Sequence, residues 1–429
     1  MTSTAKDPRL HLELTEIRGS RRSRMRSRLM VSAFIAALMA GCAQAPDHSS
    51  AWLSYKYGLT CGDVTACTDL RKDDEADEYY KKIGAEDSSN NPVFNLNQWK
   101  QQFGIAFNSP AHAVYANKLD LQLGRDMNCV EFQQPNARVV CYVTNYGPAP
   151  FDGVRTFQEN PNWPNLDQAI NDALVGDIHN SFATVAMVYD SVGIGANNDK
   201  VAFYVFGSDP ADSGNQILVK EAALDGEGGK TNPRMCMACH GGSYDTTAHS
   251  VTGANFLPFD VQSFYYGDAP HDLDGQQEAF RQLNTMVLHT NPNQPIQNLV
   301  HCLYSFKDDP TNNCRTLNNV NVQGATVADD TFVPADWAGD KTSKNVYKHV
   351  FRNYCRMCHI ASAASFETFS SFNASSVDVF ACSKKDMPHA EVPFGGLKGS
   401  QQGFGLWKDG TALSDLRNFL NSVDPKACQ

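Results

Sequence analysis

The sequence predicts an α+β amino-terminal region with antiparallel strands, followed by mainly α segments toward the carboxyl end. Two patterns and the length carry that expectation. Between residues 93 and 220 the runs Arg138–Thr144, Ala183–Tyr189, Val201–Phe206 and Gln216–Val219 are rich in valine, tyrosine and phenylalanine, as half-buried strands are. After residue 270 the apolar spacing changes to that of helices: Phe280, Leu283, Val287 and Leu288 share one face, as do Leu413, Leu416, Phe419, Leu420 and Val423. At 429 residues the chain is also too long for one core of usual size, so more than one domain is expected.

Residues 1–41 read as a signal peptide. Six arginines lie between Arg18 and Arg28, and the run from Leu29 to Ala40 is apolar apart from Ser32 and too short to span a bilayer. Residues 42–225 form the α+β region. Its leader is acidic, with Tyr79, Tyr80 and Ile83 at helical spacing among Asp73, Asp74, Glu75, Asp77 and Glu78, a charge run expected on a solvated face. Leu166–Leu174 supplies a further helix. Gly193-Ile194-Gly195-Ala196-Asn197-Asn198 is followed by no helix, which favours a turn between antiparallel strands over a phosphate-cradling loop. Residues 226–343 form a third region, mostly Asn, Asp, Thr and Gly after Lys307, and residues 344–429 a fourth.

Two copies of Cys-x-x-Cys-His carry the chemistry, at Cys236-Met237-Ala238-Cys239-His240 and Cys355-Arg356-Met357-Cys358-His359. This is the attachment signature of c-type haem. Each cysteine sulfur adds to one vinyl group as a thioether, and the adjacent histidine offers its imidazole to the iron. A lone Cys-x-x-Cys is also a redox dithiol or half of a zinc site. Two copies, each followed at once by histidine behind an export signal, point instead to two covalently attached haems. Gly241 and Gly242 are expected to let backbone approach the porphyrin closely.

In the last region Val346, Tyr347, Val350, Phe351 and Tyr354 form a helical face leading into the second motif. Met387-Pro388-His389 and the final helix follow. Helix, haem motif, methionine loop and terminal helix, over residues 344–425, resemble a class I cytochrome c. That resemblance completes the fold expectation: mainly α cytochrome c-like haem domains. His359 is then the proximal ligand and Met387, 28 residues on, the distal one. Met387 lies in a polar loop with no core to fill, and His389 is the alternative. His/Met ligation raises the potential and leaves no open site. For the first haem His240 is proximal by adjacency, and its sixth position stays open: Met127, read as part of a polar loop, and Met286, within a helix, are the methionine candidates. His112, His249, His289 and a vacant position are the others.

The thirteen cysteines sort by chemistry. Leu38-Met39-Ala40-Gly41-Cys42 resembles the lipobox of bacterial lipoproteins, which implies lipidation of Cys42 and, with Ala43 next, an outer-membrane address. Four cysteines belong to the motifs. Cys61, Cys67, Cys129, Cys141, Cys302, Cys314, Cys382 and Cys428 remain, an even number suited to full pairing in an oxidising compartment. Short loops suggest Cys61 with Cys67, Cys129 with Cys141 and Cys302 with Cys314, leaving Cys382 with Cys428. The net charge is −11, and residues 1–41 carry +5 of the total, so the remainder carries −16. Such a surface does not seek nucleic acid.

The expected function is an exported dihaem c-type cytochrome, lipid-anchored on the periplasmic side, moving electrons between redox partner proteins. The alternatives are a dihaem oxidoreductase, peroxidase- or oxygenase-like, with catalysis at the first haem, and an amino-terminal binding module served by the haems. No Walker loop and no motif-supported Ser/His/Asp set is present.

Overall fold

The computed structural model describes residues 73–117, 121, 123–147, 166–196, 198–209, 211–212, 214–222, 230–305, 327–329, 332–362, 365–366, 368–373, 406 and 409–423. In chain order the helices are α1 (Asp73–Lys82), α2 (Leu96–Gln102), α3 (Leu166–Val175), α4 (Arg234–His240), α5 (Leu273–His289), α6 (Gln294–Ser305), α7 (Lys341–Val346), α8 (Arg356–His359), α9 (Phe369–Asn373) and α10 (Gly410–Val423). A π-helical stretch, Tyr347–Cys355, joins α7 to α8.

The centre of the fold is a six-stranded antiparallel meander in sequence order, β1 (Ala111–Ala116), β2 (Gly124–Phe132), β3 (Arg138–Tyr146), β4 (Ser181–Ile194), β5 (Asp199–Ser208) and β6 (Gln216–Leu218). The expected strands are all present, and the glycine-rich segment is the β4–β5 connection. β1 and β2 were not expected. Their sequence mixes Asp126, Asn128 and Glu131 with apolar residues, and pairing of Met127 with Val143 and of Cys129 with Cys141 is what makes a strand of it.

Both edges of the sheet are closed by side chains. Gln276 of α5 accepts from Val114 N at 2.7 Å and donates to Val114 O at 2.9 Å, while Tyr265 exchanges backbone bonds with Ala116. At the other edge β6 pairs with residues 206–208 of β5 and bridges Asn95 through Ile217. The remaining β5 groups turn to α1 and the segment before α4: Phe203 N donates to Tyr79 Oη, Val205 N to Tyr80 Oη, and Asn232 Nδ2 donates to Phe203 O. Unpaired strand edges are costly when buried, so these contacts fix where α1 and α4 sit.

The expectation of mainly α cytochrome c-like haem domains is overturned. A large six-stranded antiparallel sheet lies at the centre of the described chain, and one buried apolar core runs from Tyr79 and Trp99 through Phe203 and Phe280 to Trp337, Phe351 and Leu420. Helical periodicity near the motifs was real, since α5, the Lys341–His359 helices and α10 all form. Their apolar faces merge into the core that the sheet shares, so helix content alone did not define a separate fold.

The acidic face of α1 is also not solvated as expected. Glu75 and Asp77 are buried, Glu75 against Arg234 and Asp77 against Lys220 and Asn90. Cys129 and Cys141 form the expected disulfide, and Cys302 is also disulfide-bonded. Cys42, Cys61, Cys67, Cys314, Cys382, Met387, His389 and Cys428 lie outside the described residues. No described helix is long and apolar enough to cross a membrane.

Candidate functional site

The first motif occupies α4, a short helix whose first turn follows Pro233 and whose end is set by Gly241, with φ +67°. Arg234 anchors it: Nε donates to Glu75 Oε2 at 2.6 Å and Nη2 to Oε1 at 3.3 Å, with the guanidinium over the Tyr244 ring. α4 is thereby pressed against the sheet, where the His240 ring lies 5.4 Å from Phe203.

His240 Nδ1 lies 2.8 Å from the carbonyl oxygen of Asn255. A carbonyl only accepts, so Nδ1 carries the proton and Nε2 keeps its lone pair. Burial pushes the imidazole down to about 4, which favours the neutral form a metal needs. A backbone carbonyl on one ring nitrogen is how metal-ligating histidines are commonly oriented.

Beside this imidazole lies a mainly apolar cavity of about 200 Å³. One wall is Cys236, Cys239 and His240. The opposite wall is the sheet, where strand alternation and register put Met127, Val143 and Val185 in one row and Cys141, Met187 and Phe203 in the next. Phe256, Phe259 and Phe264 close a third side. Asn145 Oδ1 is buried here without a partner while its Nδ2 donates to Val143 O and Ala183 O.

The second motif begins where the π-helical stretch ends, and Arg356 pins it. Its Nε and Nη2 bind Asp260 Oδ2 and Oδ1 at 2.9 and 2.7 Å, and Nη1 donates to Tyr347 Oη at 2.8 Å. Arg356 and Asp260 are 2 % and 1 % exposed. The His359 ring packs against Phe366, centroids 4.7 Å apart. A second, small cavity of about 70 Å³ lies between Trp337, Phe351, Arg356 and Phe366.

The two motifs meet. Cys239 Sγ and Cys358 Sγ are 3.5 Å apart, and Met357 and Cys358 line the first cavity together with Cys239. The Met357 sulfur also accepts from Asn117 Nδ2 at 3.6 Å. Gly241 and Gly242 lie where other backbone comes close. A Cβ on Gly241 would lie 2.1 Å from Ala361 O, and one on Gly242 2.7 Å from Ala254 N and Thr252 O.

Of the candidates for the sixth position of the first haem, Met127 lies in β2 rather than in a loop and lines the cavity; Met286 packs against the core from α5 and does not. His112 is held by Asp126 at 2.7 Å, His249 by Tyr244 at 3.2 Å and His289 by Glu131 at 2.8 Å, and none lines the cavity. Sequence reasoning missed Met187 and Asn145 in the cavity wall and both arginine anchors. Only the position of each arginine, within two residues of a motif cysteine, could have signalled them.

Among the described residues no three His, Cys, Asp or Glu side chains converge as a metal cluster requires. Burial pushes the Cys355 thiol up to about 12 and raises that of Cys236 further. Such sites disfavour zinc thiolates, whereas a thioether carries no charge. No protein-family model, curated protein or solved structure matches the chain.

Proposed function

We propose that this chain is a dihaem c-type cytochrome, exported and lipid-tethered through Cys42, that passes electrons between redox partner proteins. The observation that carries the reading is the His240 imidazole, its Nδ1 committed to Asn255 O and its Nε2 left for a metal, beside Cys236 and Cys239 at a mainly apolar cavity.

Bound there, haem iron supplies a reversible one-electron couple. The protein's part is to hold and insulate. Cys236 and Cys239 fix the macrocycle by two bonds, and Asn255 O orients the ligand imidazole. The aromatic and aliphatic walls exclude water, and a low dielectric resists a change in iron charge. Met127, on the sheet wall of the same cavity, is the residue we assign to the sixth position of the first haem. Cys355, Cys358 and His359 take the corresponding roles at the second, with Met387 as its distal ligand. Methionine at both iron centres leaves no site for a small substrate, which favours carriage over catalysis.

The test is maturation of the chain with cytochrome c assembly machinery, followed by intact mass and reduced spectra with and without carbon monoxide. A mass gain of two haems and spectra unmoved by carbon monoxide are expected. A chain that gains no haem and instead loses two hydrogens as a Cys239–Cys358 disulfide overturns the reading. A first haem that binds carbon monoxide moves the reading to a haem oxidoreductase.

A further inference from the structure

We infer that Cys239 and Cys358 are a redox-active dithiol, converted by a small-molecule disulfide into one disulfide bond that staples the first motif to the second. This goes beyond the dihaem reading and does not require it, because it uses only atoms of this chain. Neither motif states it in sequence, where the two cysteines are 119 residues apart.

Cys358 Sγ donates to Cys239 Sγ at 3.5 Å, and both are half-buried thiols that line the same cavity. A disulfide bond is about 2.0 Å long, so the sulfurs have only about 1.5 Å left to close. The juxtaposition is built rather than incidental. His240 Nδ1 donates to Asn255 O, Asn293 N donates to Asn255 Oδ1 at 2.8 Å, and Asn293 Nδ2 donates to Ile360 O at 3.0 Å, two residues after Cys358. Gly241 carries no side chain where Ala361 O comes closest. The ends of this relay fall within three residues of each cysteine and brace α4 against α8.

The other two motif thiols are held out of exchange. Cys236 Sγ donates to Asn232 Oδ1 at 3.2 Å, and burial keeps both Cys236 and Cys355 protonated at neutral pH. The thiolate is the species that attacks a disulfide, so exchange starts at the Cys239 and Cys358 pair. The Cys239 thiolate attacks one sulfur of oxidised glutathione, forming a mixed disulfide and releasing one glutathione thiol. The Cys358 sulfur then attacks the Cys239 sulfur, closing the bond between them and releasing the second. Two electrons pass from the pair to the oxidant, and the two protons leave on the released thiols. Each cysteine is the second of its motif, so on the dihaem reading this disulfide and haem attachment exclude one another.

The experiment uses the full chain made without cytochrome c maturation, equilibrated in glutathione buffers of graded composition and labelled with N-ethylmaleimide in denaturant. Intact mass and peptide mapping are expected to show a Cys239–Cys358 crosslink in the oxidising buffers, with Cys236 and Cys355 labelled. C236S/C355S is expected to keep the crosslink, whereas Cys358→Ser is expected to lose it and to gain label on Cys239. Gly241→Ala is expected to shift half-conversion to a more oxidising buffer. A chain whose four motif cysteines all take label in oxidised glutathione overturns the pair, as do crosslinks that run from Cys236 to Cys239 and from Cys355 to Cys358. Either result leaves the dihaem reading standing. A chain that holds the crosslink through maturation and gains no haem overturns that reading and supports the pair.

Discussion

The two motifs share five-residue chemistry and an arginine anchor, yet they are held differently. His240 is oriented by a backbone carbonyl 15 residues away and faces a cavity whose far wall is the sheet. His359 lies against Phe366, and its motif grows out of a helix of local sequence before Arg356 reaches back to Asp260. The first centre is thus made by long-range pairing and the second by local helix plus one buried ion pair. Similar motifs do not imply similar surroundings.

Breaking the anchors tests that contrast most strongly. Arg356→Ala leaves Asp260 charged and buried and is expected to cost about 3–5 kcal/mol, read as the urea midpoint. Arg234→Ala is expected to cost somewhat less, because the Glu75 side chain retains 10 % exposure against 2 % for Asp260. Replacing both Arg356 and Asp260 by Met and Leu is expected to recover most of the loss.

The relay between the motifs comes next. Asn293→Ala strips Ile360 O and Ile296 N of their partners and is expected to cost about 1–3 kcal/mol in denaturant titrations.

The sheet side should respond to pH in its own way. Burial and the neighbouring Asp77 carboxylate hold Glu86 up to about 7. A carboxyl raised in the fold contributes stability that is complete below its unfolded value of about 4.5 and is lost as pH climbs through about 7. Glu86→Gln is expected to remove about 1–2 kcal/mol of the difference between urea midpoints at pH 4.5 and pH 8. An unchanged pH slope would show that Glu86 does not titrate in this window.

Smaller effects separate the two imidazoles. Phe366→Leu and Phe203→Leu each remove a ring beside one histidine, with about 0.5–1.5 kcal/mol of ring-specific loss. Each is expected to disturb the spectrum of its own haem only. Met127→Leu conserves volume and is expected to cost less than about 1.5 kcal/mol in stability, while lowering the potential of the first haem alone. Equal shifts at both haems would break the ligand assignment.

Much of the site was legible, unevenly. Strands β3 to β6, helices α3, α5 and α10 and the Cys129–Cys141 bridge followed from local pattern, because spacing and periodicity act within a few residues. β2 was obscured by its polar residues, since its strand character depends on the neighbours it pairs with. The acidic run of α1 read as surface because nothing local says that Arg234, 159 residues later, will bury Glu75.

By itself, then, the sequence determined which atoms are available: four sulfurs, two imidazoles and the helical or extended habit of the segments that carry them. Only the tertiary structure decided that the helices share one core with a six-stranded sheet, that Met127 rather than Met286 lines the cavity beside His240, and that Cys239 meets Cys358. The reason is physical. Covalent spacing controls local geometry, whereas the buried ion pairs, sheet edges and backbone contacts that place the motifs join residues more than a hundred positions apart.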